Sequence, residues 1–405
     1  MVGRLFGRVF PGAFCLEGAG GRALQNTFPK HYNLLKGACF VKMLPKLQYH
    51  VEPEKGWLND PNGLCYFNGK YHAFFQHYPN ATVWTAPLYW AHVTSDDLIH
   101  WEDQPMGLTP DQPYESTGGC FSGSAFIKDG KAYFFYTAVG DGGVQTQCLA
   151  TSEDGITLKK YEGNPIIDER PVDPTGRDFR DPKVFEWTDG TYRMVCGTGH
   201  EGYAAVLLYK SSDLYNWEYV GPIFETREMG PVLECPDLYP LEDKWVLCFS
   251  RMDQPQTVQY VVGTFDGEHF TAESVQKPEI GPNYYAPQSF EDEKGRRIVM
   301  AWMTPWGQPE DTDGVRCGCL TLPRVASLKN GKLCFEPVEE AASLLVEEDP
   351  HVKKGPWLFQ VTDGKKILLE RPACEVKDVK IFTDTHTCEV FINGGEQVVS
   401  FYFQP

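Results

Sequence analysis

The chain has 405 residues and a formal charge of −18, and this negative charge disfavours nucleic acid and anionic membrane surfaces as partners. No stretch approaches the ~20 apolar residues that a membrane-spanning helix requires. The 39 glycines and 30 prolines predict many turns, while 42% hydrophobic residues predict a folded core. We therefore expect a turn-rich globular protein without a membrane or nucleic-acid partner.

The first 45 residues have no pattern typical of a domain, and we interpret them as an N-terminal extension without an assigned role. Arg4 and Arg8 flank a short apolar run that Pro11 breaks, which is poor for a secretory signal. Thirteen scattered cysteines lack the paired spacing of a zinc site, and Cys317 and Cys319 have no further ligands beside them. We predict reduced thiols in the cytoplasm, no metal and no cofactor, with secretion left open.

From about residue 50, short apolar or alternating runs are separated by Asp-Gly, Asn-Gly and Pro signals, which is typical of strands and hairpins. A loose repeat of a hydroxyl residue followed by Asp starts at Thr94, Thr151, Ser211 and Thr264, at intervals of 53 to 60 residues. A unit of this length made of strands and turns suits one four-stranded propeller blade. Residues 46–330 therefore predict a five-bladed β-propeller.

The composition changes over residues 331–405, which we interpret as a short C-terminal β-sandwich-like region. Residues 337–348 are the best helical candidate in the chain, and Asn393-Gly394-Gly395 predicts a hairpin turn. About 75 residues are marginal for an independent domain. We expect this region to lean on the propeller and to expose strand edges and apolar surface, through which an oligomer could form.

Three acids stand among apolar or aromatic residues, each with a proline within two positions: Asp60, Asp181 and Glu234. Each lies 30 to 34 residues before one of the repeated turns, so all three have the same phase in the repeat. Residues at one phase of a radial repeat occupy equivalent places in their blades, and we expect the three acids to converge on the axis. Acids buried together divide into a general acid and an ionised partner, as cleavage of a glycosidic bond requires.

Five segments then become recognisable, and they occur in a specific order: WLNDPNG (57–63), FSGSAF (121–126), FRDPKVF (179–185), ECPDLYPL (234–241) and YYAPQSF (284–290). Over about residues 48–328 the sequence resembles glycoside hydrolase family 32, the invertases, sucrose-6-phosphate hydrolases and fructanases. The resemblance implies a five-bladed propeller followed by a β-sandwich. It also implies a retaining β-fructofuranosidase that works through a covalent fructosyl-enzyme.

The resemblance also implies roles for single residues. Asp60 resembles the nucleophile, Glu234 the acid/base, and Asp181 the stabiliser that binds fructose hydroxyls. The remaining walls of the fructose subsite are then Asn59, Gln76, Trp84, Phe121, Ser122, Arg180, Tyr285 and Trp302. The sequence departs from the family at Ala91, Leu233 and Asn283, which leaves the preferred leaving group open.

The expected partner is a small-molecule fructoside, and the expected reaction is hydrolysis of sucrose or sucrose 6-phosphate. Two alternatives stay open. The same scaffold could act as an exo-fructanase, or as a fructosyltransferase, because a sugar hydroxyl can take the fructosyl unit in place of water. A catalytically inactive sugar-binding propeller is the alternative outside the enzyme class.

Overall fold

The computed structural model describes residues 45–253, 256–303 and 314–403. The N-terminal extension predicted for residues 1–45 lies outside these ranges, apart from its last residue. Strands and turns dominate the described chain, and its helical segments are the short 3₁₀ helices Pro113–Glu115, Asp141–Gly143, Glu339–Leu344 and Ala373–Glu375. The predicted all-β class is confirmed, and no helix in the described ranges has the length and apolarity to cross a membrane.

Five antiparallel sheets follow one another between residues 56 and 337. The first contains β1 Gly56–Phe67, β2 Lys70–Tyr78, β3 Tyr89–Ser95 and β4 Trp101–Asp103, and the second contains β5 Gly119–Lys128, β6 Lys131–Val139, β7 Gln145–Ser152 and β8 Lys159–Lys160. The third contains β9 Phe179–Glu186, β10 Tyr192–His200, β11 Tyr203–Ser211 and β12 Glu218–Thr226. The fourth contains β13 Leu233–Leu241, β14 Lys244–Arg251, β15 Thr257–Phe265 and β16 Phe270–Gln276. The fifth contains β17 Tyr285–Glu291, β18 Arg297–Trp302, β20 Arg324–Lys329 and β21 Lys332–Pro337, and the short β19 Arg316–Cys317 pairs in parallel with β1.

The first strands of the five sheets contact one another in a closed cycle, β1 to β5, β9, β13, β17 and back to β1. The number of blades stays a prediction. Apolar side chains fill the space between neighbouring sheets; Phe74 of the first sheet, for example, packs with Phe134 of the second. The first strands therefore surround the axis, while the later strands of each sheet lie outside them.

The repeated Asp of the sequence marks the turn between the third and fourth strands in each of the first four sheets. In the first sheet, the Asp97 carboxylate accepts hydrogen bonds from the N–H groups of Ile99 and His100 at 3.0 and 2.8 Å. The same pair of bonds recurs at Asp154, Asp213 and Asp266. The repeat thus reflects the way an Asp side chain stabilises a tight turn by replacing a backbone acceptor.

Each first strand has a register shift close to its beginning. The shifts lie at Leu58/Pro61, Phe121/Gly123, opposite Val195/Gly197, at Glu234/Asp237 and at Tyr285/Gln288. Three of these bulges hold a non-glycine residue at positive φ, namely Asp181 at 67°, Cys235 at 47° and Ala286 at 49°, and proline follows each of them. A bulge re-aims a side chain and tolerates proline, since it interrupts the ladder hydrogen bonds. The prolines beside the three acids are therefore markers of bulges at the axis.

Two three-stranded sheets follow the propeller. They contain β22 Val352–Lys354, β23 Leu358–Thr362 and β24 Ile367–Pro372, and β25 Val379–Thr383, β26 Thr387–Ile392 and β27 Gln397–Tyr402. Phe359 and Val361 of one sheet share a core with Val390 and Phe401 of the other, as in a small sandwich. The predicted hairpin turn at Asn393 connects β26 to β27.

Two details differ from the sequence expectations. The helical candidate at residues 337–348 forms the six-residue 3₁₀ helix Glu339–Leu344, because β21 occupies its first residue and an extended chain follows Leu345. The fifth sheet continues through Pro337, since β20 and β21 form a hairpin across residue 330. The predicted boundary at residue 330 thus falls within that hairpin.

Candidate active site

The three acids lie on inner strands, Asp60 on β1, Asp181 on β9 and Glu234 on β13. Cys235, the neighbour of Glu234, links the other two. Its N–H donates to Asp181 Oδ2 at 2.8 Å, and its Sγ lies 3.5 Å from both Asp181 Oδ2 and Asp60 Oδ2. Three acids separated by up to 174 residues therefore meet in one axial site.

Asp60 is held by side chains of the first two sheets. Ser122 Oγ donates to Asp60 Oδ2 at 2.5 Å, and Asn59 Nδ2 donates to Asp60 Oδ1 at 3.1 Å. Burial raises the pKa of Asp60 to about 6, the bond from Ser122 opposes the rise, and the charge of Glu234 adds to it. Both donors favour the ionised carboxylate, the form that acts as a nucleophile.

Gln76 on β2 fixes the direction of these hydrogen bonds. Its Nε2 donates to Ser122 Oγ at 2.9 Å, and its Oε1 accepts from Asn59 Nδ2 at 3.0 Å. Because the Ser122 oxygen accepts from Gln76, its own proton is free to point to Asp60. Trp57 Nε1 donates to Asn59 Oδ1 at 2.7 Å and holds that amide from the other side.

Asp181 is the most enclosed of the three acids, with 3% of its surface exposed. Its own N–H donates to Thr137 Oγ1 at 2.9 Å, which holds the bulge against β6. Burial raises the pKa of Asp181 to about 7; the Arg180 guanidinium lowers it, and the charges of Glu234 and Asp60 raise it. This carboxyl group therefore changes its ionisation near neutral pH.

Glu234 is bound through both of its oxygens. Arg180 Nε donates to Oε1 at 3.1 Å, and the Tyr285 hydroxyl donates to Oε2 at 2.6 Å. Asp178 and Gln145 anchor the same guanidinium at 2.8 and 3.2 Å. Two donors from neighbouring sheets thus fix the orientation of this carboxylate, whose side chain keeps 14% of its surface exposed.

The aromatic residues expected in the subsite occupy two positions. Trp84 is exposed and packs edge-on against the half-buried Phe121, with ring centroids 6.3 Å apart. Trp302 is fully buried and packs edge-on against Tyr285 at 6.3 Å and Trp57 at 5.5 Å. Trp302 therefore packs against Tyr285 in the core, whereas Trp84 and Phe121 pack against each other, with Trp84 exposed to solvent.

Sequence reasoning did not select Cys235, Thr137, Gln145 or Asp178. Cys235 lies within the ECPD segment, and its position directly after Glu234 was the available signal. Thr137 and Gln145 lie on β6 and β7 in runs that read as ordinary strands, so no local signal marks them. Among the described residues, no three His, Cys, Asp or Glu side chains are grouped in a way that could hold a metal ion.

Carboxylates gathered in one site, one bound by an arginine and a tyrosine and one held by neutral donors, fit the cleavage of a glycosidic bond, which uses two carboxyl groups in different roles. The family model of the glycosyl hydrolases family 32 N-terminal domain matches residues 50–337. The chain therefore belongs to glycosyl hydrolase family 32.

Similar proteins extend over most of the chain. Raffinose invertase of Escherichia coli is 33% identical, over 88% of this chain and 89% of the relative. Sucrose-6-phosphate hydrolase of Zymomonas mobilis is 37% identical, over 79% and 69% of the two chains. The solved structure of a Bombyx mori β-fructofuranosidase mutant in complex with sucrose is 27% identical, with a TM-score of 0.77 over 88% of this chain and 89% of that chain.

Proposed function

We propose that the chain hydrolyses the terminal β-D-fructofuranoside of sucrose or sucrose 6-phosphate with retention of configuration. The observation that carries the proposal is the meeting of Asp60, Asp181 and Glu234 in one axial site, linked through Cys235. The names of the similar invertase and sucrose-6-phosphate hydrolases support the substrate class.

In the first step, an Asp60 oxygen attacks the anomeric carbon of the fructosyl unit. Glu234 gives its proton to the glycosidic oxygen as the bond between that carbon and oxygen breaks, and the leaving sugar departs as an alcohol. The product is an ester between Asp60 and fructose, and Glu234 is left as a carboxylate. Ser122 and Asn59 support this step because they keep Asp60 ionised before it attacks.

In the second step, Glu234 takes a proton from a water molecule that attacks the same anomeric carbon. The bond to Asp60 breaks, fructose leaves, and both acids return to their initial protonation states. Two displacements at one carbon restore the original configuration. Arg180 and Tyr285 hold Glu234 in one orientation in both steps. A group that first donates and then accepts a proton at the same place needs such a fixed orientation.

We assign Asp181 to the fructose hydroxyls. A carboxylate accepts two or more hydroxyl hydrogen bonds, and these favour its ionised form. Since burial raises the pKa of Asp181 to about 7, binding of fructose should release a proton from this group near neutral pH. The proposed subsite around it consists of Asn59, Gln76, Ser122, Arg180, Tyr285, Phe121, Trp84 and, in support, Trp302.

The test is release of reducing sugar from sucrose and, in parallel, from sucrose 6-phosphate. Asp60→Ala should abolish release, whereas Asp266→Ala, which removes an acid from an exposed turn, should retain it. Release that survives Asp60→Ala would refute the assignment of the nucleophile. Sugar binding by a folded wild type without any release would favour the inactive binding module, and transfer products at high sucrose would favour a fructosyltransferase.

Domain organisation, location and association belong to the same proposal. We place the propeller at residues 46–337, which moves the boundary from residue 330 to the end of β21, and the sandwich-like region at 338–405. A cytoplasmic location is supported by the eleven described cysteines, all of which are free thiols. Association through the C-terminal region is supported by Trp357, which is 86% exposed there, and analytical ultracentrifugation of the full chain would test it.

A further inference from the structure

The last described strand, β27, runs beside residues 278–283, which lead into β17 and Tyr285. Residues 278–283 precede β17, and they pair with β27 through backbone bonds from Ile280 N to Val398 O at 2.9 Å and from Val398 N to Pro278 O at 2.8 Å. Farther along, Asn283 N donates to Ser400 O at 3.3 Å. The C-terminal sheet thus adds a strand to a segment of the propeller.

Buried charges fix the same contact. Glu279 Oε2 accepts from Arg324 on β20 at 2.8 Å and from the Ser400 hydroxyl at 2.7 Å. The other nitrogen of the guanidinium donates to Glu389 on β26 at 2.5 Å. Arg324 has none of its surface exposed, so these partners must offset the cost of removing its charge from water. The segment before β17 therefore has one well-determined position relative to the sandwich.

Asn283 is the last side chain of this contact before the active site. It is 6% exposed, and its Oδ1 accepts from the N–H of Tyr402 on β27 at 3.1 Å. Tyr284 follows, with its ring 5.0 Å from the Arg324 guanidinium and its hydroxyl 2.6 Å from that of Tyr260. Tyr285 comes next, and its hydroxyl donates to Glu234 Oε2 at 2.6 Å.

We propose that Asn283, held by the Tyr402 N–H of the C-terminal sheet, is a positioning residue that sets Tyr285 and, through it, the orientation of Glu234. The inference rests on the proposed function, because it takes Glu234 as the proton donor. Tyr285 lies only two positions after the anchor, and a hydroxyl displaced by about 1 Å loses most of a hydrogen bond. The sandwich-like region thus contributes to catalysis without reaching the substrate.

The test compares Asn283→Ala with Tyr285→Phe, which removes the hydroxyl itself. We expect Asn283→Ala to lower kcat about 10-fold, with KM changed less than about threefold, since general acid catalysis contributes about 10²- to 10⁴-fold. Loss of a donor disfavours the ionised carboxylate, so the pH profile of kcat/KM should change in the same direction in both variants. Asn283→Asp retains an acceptor for the Tyr402 N–H and should restore kcat to within about twofold of wild type.

Asn164→Ala is the matched control. Asn164 Oδ1 accepts from Leu149 N at 2.8 Å and its Nδ2 donates to Leu149 O at 2.9 Å, so the variant loses backbone bonds to β7 of the second sheet, away from the proposed contact. We expect a lower melting temperature for both alanine variants, and altered kinetics for Asn283→Ala alone. If Asn283→Ala does not fold, Asn283→Ser, whose hydroxyl is a shorter acceptor, replaces it with the same expectation.

The double variant Asn283→Ala/Tyr285→Phe decides whether Asn283 acts through Tyr285. It should be no slower than Tyr285→Phe, because the contact that Asn283 positions is already absent. Additive losses, or kinetics and a pH profile of Asn283→Ala that equal those of wild type, would overturn the inference. A folded wild type that releases no fructose from either substrate would instead refute the proposed function.

Discussion

Replacing Asp181 by Asn should stabilise the protein above neutral pH while it removes activity. Burial raises the pKa of this carboxyl from its ordinary value of 3.8 to about 7. The folded state therefore holds a proton that the unfolded state releases, and the free energy of unfolding falls as the pH rises from about 4 to about 7. Each tenfold change in acidity corresponds to about 1.4 kcal/mol, so the full penalty above pH 7 is at most about 4 kcal/mol.

Part of that pKa rise comes from Glu234 and Asp60, and we therefore expect a net gain of about 2–4 kcal/mol for Asp181→Asn at pH 8. Urea unfolding of wild type and variant at intervals between pH 4 and pH 9 measures it, because the titrating groups outside the site are common to both proteins. The difference in the free energy of unfolding should be small at pH 4, grow up to about pH 7 and then level off. A variant that is less stable than wild type at pH 8, or a difference independent of pH, would refute the reasoning.

Three further changes test the site and its support. Glu234→Gln should slow sucrose hydrolysis by about 10²- to 10⁴-fold but slow an aryl fructoside far less, because that leaving group needs no proton; equal losses in steady-state assays would contradict this. Burial raises the pKa of Asp60 to about 6, and the hydrogen bond from Ser122 opposes this rise. Ser122→Ala removes that bond, so the acid limb of kcat/KM should move to higher pH. An unchanged limb would argue against the contact. Arg324→Met leaves Glu279 buried without its cation and Glu389 with His50 alone, and it should lower the free energy of unfolding by about 3–5 kcal/mol in urea titrations, whereas a loss below about 1 kcal/mol would show that the pairs contribute little.

The sequence predicts that the three acids converge because the geometry of the sheets repeats along the chain. Asp turns recur at similar intervals since each of the first four sheets joins its third and fourth strands through the same side-chain bond, seen at Asp97 and Asp213. Acids that lie at the same distance along the chain before those turns are therefore on the first, inner strand of their sheets. The proline that follows Asp60 and Asp181 is a second local signal, because it is compatible with an inner strand at a bulge.

The remaining parts of the site depend on contacts between distant sheets, for which a single sequence has no periodic signal. Thr137 supports Asp181 from β6, and Arg180 reaches Glu234 across 54 positions, so their partners follow only from the assembled cycle of sheets. The contact of Asn283 with Tyr402 across 119 positions is of the same kind. At residues 337–348, the helix-forming composition yields only the 3₁₀ helix Glu339–Leu344, because β21 extends through Pro337 and Val346 pairs with Ile381 of β25.

The central claim is a double displacement at Asp60, and sucrose cleavage in the presence of methanol tests it most directly. Methanol takes the place of water in the second step and preserves the configuration of the product, which free fructose loses by mutarotation. We predict methyl β-D-fructofuranoside as the transfer product, identified by NMR, and none with Asp60→Ala. Formation of the α-anomer, or cleavage by wild type without any methyl fructoside, would contradict a covalent fructosyl-enzyme.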